Sequence, residues 1–177
     1  MTASQFDPLN SPAMPSAKVL PLPARAPERL VGVGFRCWLG GLSTGDIRCW
    51  EEAWNTFAST LGPEHAKGLL MDLSKFVRAV KANADRDIEI AASGCRGFCR
   101  DECLAISIIA ASQHDVRPAL TASAAALIGS NDIGDTINGA QSLAIGLTHA
   151  KQILSRDSIC PATCALRAMP RRRLPLN

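Results

Sequence analysis

The segment Leu104–Ala111, LAISIIAA, limits what this chain can become more than any other stretch. Only Ser107 interrupts its run of apolar residues. On a helix successive side chains turn by about 100°, so Leu104, Ile106, Ile108 and Ile109 cannot all face one neighbour. A helix with apolar residues all round must be covered on nearly every side. The segment is therefore expected at the centre of a domain, with the other elements packed around it.

Directly upstream stand Cys95, Cys99 and Cys103, spaced Cys-x3-Cys-x3-Cys. Two local pictures fit. In one, a helix already runs from Ser93 and the thiols form a drifting stripe at i, i+4 and i+8. In the other, Gly94 and Gly97 hold Cys95 and Cys99 in a loop and the helix starts near Asp101, since glycine inside a helix costs roughly 1 kcal/mol against alanine. The expectation taken forward is a buried central helix over 95–112.

The rest of the chain also reads as helical. Residues 28–42, ERLVGVGFRCWLGGL, carry Val31, Phe35, Trp38 and Leu42 at helical spacing, although Val31, Val33 and Phe35 alternate around two glycines as a strand would. Without a partner strand the helix is preferred. Ser43 with Asp46 suggests a capping box for a helix over 47–61, whose stripe Ile47, Trp50, Trp54, Phe57 and Leu61 should face the core. Gly62-Pro63 closes it and opens a helix over 63–82, with Lys67, Lys75, Arg78 and Lys81 on a solvated face. Helices over 119–128 and 132–154 follow, and Gly139 and Gly146 of the second mark a side where two backbones approach. Pro161 is placed to open a short final helix. The fold class is all-α: a compact bundle of five to seven helices in one domain over 28–168. A proline-rich leader, expected to be disordered, precedes it over 1–27, and a basic tail follows over 169–177.

Composition narrows the function classes. The net charge of +3 equals that of Arg171, Arg172 and Arg173 together, so the body is near neutral and offers no broad nucleic-acid surface. No run reaches the roughly 18 apolar residues that span a bilayer. Met1–Asn10 lacks the basic and apolar regions of a signal peptide, so a reducing cytoplasm is expected for the seven cysteines. There is no P-loop, dinucleotide fingerprint, nucleophile elbow or Glu-x-x-His. His65, His114 and His149 each lack a second histidine at helical spacing.

Three functional readings remain open. The first is soft-metal binding (zinc, copper(I) or an iron–sulfur cluster) through Cys95, Cys99 and Cys103, completed by Cys160 or Cys164 of the CPATC motif. Backbone N–H groups at a helix start, with Arg96 and Arg100, would favour thiolates there. The second is a cofactor-free helical interaction or regulatory module, acting on a protein partner or a second copy, whose cysteines pack as small hydrophobes. The third is a cysteine-dependent enzyme or thiol redox switch.

Overall fold

A computed structural model describes residues 26–161 of the chain. The elements are α1 (Ala26–Thr44), α2 (Ile47–Leu61), α3 (Pro63–Asn83), α4 (Arg100–Gln113), α5 (Arg117–Ile128) and α6 (Gly134–His149), then a 3-10 turn at Arg156–Ser158. There is no strand among the described residues, and the all-α bundle is what the sequence led to expect. The expectations on residues 1–25, on Cys164, on a helix opening at Pro161 and on the basic tail fall outside the described residues.

Helix α4 is the spine. Every residue from Leu104 to Ala111 is buried. Helices α1, α5 and α6 and the 3-10 turn all pack against it. Each fully buried isoleucine contributes about 1.5–3 kcal/mol by leaving water. Ser107 is satisfied where it stands: its Oγ lies 3.1 Å from Ser123 Oγ on α5 and accepts the Cys160 N–H at 2.8 Å. The one polar residue of the spine thus seats both its neighbour helix and the segment that follows α6.

The helix begins at Arg100, not at residue 95. Gly94 adopts φ +78, which breaks any helix through it. Cys99 is extended, with ψ 175, and caps the helix. The Glu102 carboxylate reaches back to accept the Cys99 N–H at 2.8 Å, as in a capping box, so the first turn is closed off from the residues upstream. At the other end α6 stops at His149, short of residue 154. Lys151 turns left-handed at φ 59, and the Gln113 side chain receives the departing strand of chain, donating to Gln152 O and accepting from Leu154 N, both at 2.9 Å. The cap of α2 is Asp46, whose Oδ1 accepts the Arg48 N–H; Ser43 lies inside α1.

Helix α1 explains its own strand-like glycines. A Cβ on Gly32 would stand 2.4 Å from the Phe98 ring, and one on Gly34 would stand 2.8 Å from Phe57. The glycines are flat places where aromatic rings rest on the helix backbone. α3 and α6 meet in the same manner, since a Cβ on Gly139 would fall 2.8 Å from the Phe76 Cα. Such an approach admits no side chain without moving one helix. Among the described residues no helix is long and apolar enough to cross a membrane.

Gly139→Ala should therefore lower stability by roughly 1–3 kcal/mol, as overpacking does. Gly68→Ala, on an exposed face of α3 with open space around it, should raise it by about 0.5–1 kcal/mol through helix propensity. Urea unfolding of the two variants checks the contrast; equal shifts would disprove the backbone-to-backbone contact.

Candidate functional site: a clamped cysteine loop and an aromatic groove

Two adjacent acids in the first turn of α4 organise residues 84–99, a connection with no regular structure. They point apart, as neighbours on a helix must, and each meets an arginine. Asp101 receives Arg86 Nη1 at 2.8 Å and Nη2 at 2.7 Å, and accepts the Glu89 N–H at 2.9 Å. Glu102 receives Arg36 Nε at 2.7 Å and Nη2 at 3.0 Å, and accepts the N–H groups of Ala91 and Cys99. Arg36 reaches further, donating to Cys95 O at 2.9 Å and Gly97 O at 2.7 Å. Its guanidinium lies 5.4 Å from the Phe98 ring centre. Burial works against the Arg36 charge, and its hydrogen bond and Coulomb attraction to Glu102 more than offset this, holding the group above its ordinary value.

The clamp decides where the predicted ligands go. Cys95 is half-buried in the loop. Cys99 is buried at the cap, its Sγ donating to Glu89 O at 3.1 Å. Cys103 lies on α4, its Sγ 3.9 Å from Phe98 O. Cys160 sits beyond the 3-10 turn, its Sγ 3.7 Å from Pro161 O. Among the described residues no three histidine, cysteine or acidic side chains group so as to hold a metal ion. Burial pushes the Cys99 thiol up to about 11. Burial likewise pushes Cys103 up to about 12, with the charges of Cys99, Glu102 and Cys160 adding to it. Cys37 is pushed up to about 12 by burial, then by the nearby Glu52 carboxylate and Cys49. These three are protonated thiols at neutral pH and poor nucleophiles.

A cavity of about 510 Å³ opens at the outer edge of the loop, walled by Arg29, Arg36, Glu52, Cys95, Arg96 and Phe98. Its guanidinium of deepest burial, Arg36, is already committed to Glu102 and the loop carbonyls.

Sequence reasoning did not foresee the second feature. Trp38, Trp50 and Trp54, all the tryptophans of the chain, line one open groove of about 480 Å³ with Glu51, Asn55 and Leu70. The stripe on α2 was expected to face the core. Only Phe57 of it is buried, beside Ala53. Trp50 and Leu61 are half-covered, Trp54 is 40% exposed and Ile47 64% exposed. The stripe is wider than the contact. At about 100° per residue the buried side centres between Ala53 and Phe57, and Trp54 and Ile47 overhang it by about 80–100°. The small Ala53 marks the true contact and gives a weak hydrophobic signal. Trp50 is seated firmly, since a Cβ on Gly41 would fall 2.6 Å from its Nε1. Trp38 Nε1 is buried with no acceptor, so one groove wall carries an unsatisfied donor.

No protein-family model, curated protein or solved structure matches the chain.

Glu102→Gln leaves Arg36 buried without its counter-charge and should cost about 3–5 kcal/mol. It should also speed alkylation of Cys95 and Cys99 by freeing the loop; mass mapping after a maleimide pulse reads this, and unchanged rates would show that the clamp does not hold the loop. The raised thiols set a pH dependence. Unfolded thiols ionise near the ordinary 9.0, while folded Cys37, Cys99 and Cys103 keep their protons to about 11–12. Above the ordinary value the folded chain thus holds more protons than the unfolded one. Stability should be complete below about pH 9 and decline as pH rises from there through about 11. The urea midpoint measured across that range checks it, and Cys37→Val should flatten the decline.

Proposed function

We propose that this chain is a cofactor-free helical interaction module, and that it engages a protein partner on the Trp38–Trp50–Trp54 groove. The observation that carries this reading is the gathering of every tryptophan onto one open surface. Tryptophan and methionine are enriched where proteins meet, and buried aromatic anchors dominate binding energy. Exposed Ile47 on α2 and Met71 on α3 extend the apolar character of the same helices. On this reading Cys37, Cys99 and Cys103 serve packing and loop seating, which their raised pKa values favour over nucleophilic work. Cys37, Cys49, Cys95, Cys99 and Cys103 are free thiols, which suits the reducing cytoplasm proposed for the protein.

A second reading, soft-metal binding, draws on one observation: Cys103 feels the charges of both Cys99 and Cys160, and Cys164 follows Cys160 by four residues. Loading zinc, copper(I) or an iron–sulfur cluster would require Cys99 and Cys103 to give up protons that burial holds on them. Anaerobic zinc and copper(I) titration against a chelator of known affinity separates the readings. Stoichiometric binding lost in Cys103→Ser would favour the metal.

The groove reading is checked by placing a photo-crosslinking residue at position 54 of the full chain in cells. One discrete adduct is expected, absent when the same residue replaces Thr121 on α5 and lost with Trp50→Ala in a chain whose helical circular dichroism is unchanged. A smear of many adducts, or none, would overturn the reading.

A further inference from the structure

We propose that the cavity between α1, α2 and the cysteine loop binds a small organic monocarboxylate, with Arg29 and Arg96 holding the carboxylate and Val33 and Phe98 taking the apolar body. The site shares no residue with the tryptophan groove and does not depend on what docks there.

Three segments build the cavity. Arg29, Val33 and Arg36 stand at i, i+4 and i+7, so they share one face of α1. Glu52 and Thr56, also four apart, approach from α2, and Arg96 and Phe98 come from the loop. The loop is held in place by Arg36, which donates to Cys95 O and Gly97 O, so this wall exists before any ligand arrives. The volume of about 510 Å³ falls within the roughly 300–1,000 Å³ that small-molecule sites occupy. The cavity is also more closed in than the tryptophan groove.

Charge selects the ligand. Arg36 is buried and neutralised by Glu102. It spends four of its five N–H groups on Glu102 and the two loop carbonyls, which leaves one N–H of Nη1. Arg29 and Arg96 are exposed, and among the described residues neither has an acid within ion-pair distance. Glu52 opposes them from the same wall. Arg48 lies with Glu52 in the adjoining hollow, but its guanidinium is paired with Asp46. Two uncommitted guanidiniums against one carboxylate leave a single positive charge over the cavity. A monoanion balances it, whereas a phosphate dianion brings a second negative charge up against Glu52. Guanidinium and carboxylate match through two parallel N–H···O bonds. The Val33 side chain and the Phe98 ring supply the apolar lining that such sites place beside a few polar groups.

Cys95 lies half-buried on the same wall and reports on occupancy. In the full chain, benzoate and hexanoate should slow maleimide labelling of Cys95 saturably and leave Cys49 unchanged, as mass mapping reads. Calorimetric titration with benzoate should give the same half-saturation without reference to the thiol. Benzamide, the uncharged counterpart, should neither protect nor bind, and phenyl phosphate should act only at higher concentration. Arg29→Gln together with Arg96→Gln should raise the benzoate half-saturation about tenfold, the loss expected of charge-assisted hydrogen bonds. Both side chains are exposed, so helical circular dichroism should be unchanged. Glu52→Gln should act the other way, lowering the benzoate half-saturation and bringing phenyl phosphate level with it. Benzamide binding as well as benzoate would overturn the proposal, since the hollow would then have no preference for charge. So would the absence of saturable binding by either acid, or a half-saturation that the double arginine variant leaves unchanged.

Discussion

The buried pair of Arg36 and Glu102 is the contact on which the rest of the arrangement depends. Neither charge can leave water without the other, because an unpaired buried ion costs several kcal/mol. Yet the pair does more than neutralise itself. Glu102 takes the N–H groups of Ala91 and Cys99, and Arg36 takes the carbonyls of Cys95 and Gly97. Backbone groups of an irregular loop would otherwise lie buried without partners. One ion pair thus satisfies four of them, and Arg86 with Asp101 does the same at the other end of the connection. The position of the loop, the first residue of α4 and the docking of Phe98 against α1 follow from where these two acids stand.

Helix α1 makes the complementary contribution, through absence of side chains. Phe98, Phe57 and Trp50 each rest on a glycine of α1, at positions 32, 34 and 41. A chain with few aromatics places three of them against one bare backbone, so α1 meets the loop and α2 at close range. The same contact that seats Trp50 on Gly41 also sets the groove, because it fixes one indole while Trp54 overhangs. The packing of the core and the form of the exposed surface are two results of one pattern of glycines.

What the sequence made legible is what periodicity encodes. The apolar run from Leu104 to Ala111 predicted a surrounded helix and is one. Gly139 foretold the close contact of α6, although only the structure names Phe76 of α3 as its partner. Three things escaped. The start of α4 depends on Glu102 reaching back to Cys99 and on Arg36 arriving from 66 residues away, and no local pattern contains that arginine. The end of α6 depends on Gln113, again distant in sequence. The groove escaped because an apolar stripe on a helix looks the same whether it is covered across its whole width or along one edge. Adjacent Asp101 and Glu102 give no local sign of their role either, because their partners Arg86 and Arg36 come from elsewhere in the chain.

The cysteines show why residue type alone is a poor guide to chemistry. A reactive or ligating thiol needs a setting that favours the thiolate: nearby positive charge, open backbone N–H groups, some access to water. The sequence around Cys99 contains all the ingredients, with Arg96 and Arg100 beside it and a helix start at hand. The fold spends them differently. The N–H of Cys99 goes to Glu102, the nearby Arg36 is already paired, and the Cys99 sulfur donates to a carbonyl; burial outweighs the backbone N–H groups of Glu102 and Asp101, which pull the thiol's pKa down. A thiol that donates to a carbonyl gains from keeping its proton, and burial acts in the same direction. Two carboxylates beside the site then add negative charge where a thiolate would need positive. The buried position at a helix start therefore stabilises the neutral thiol, and the place in the chain richest in nominal chemistry becomes one of its most firmly held pieces of structure. Exposed aromatic surface lies instead on α2, where packing left an apolar stripe only partly covered.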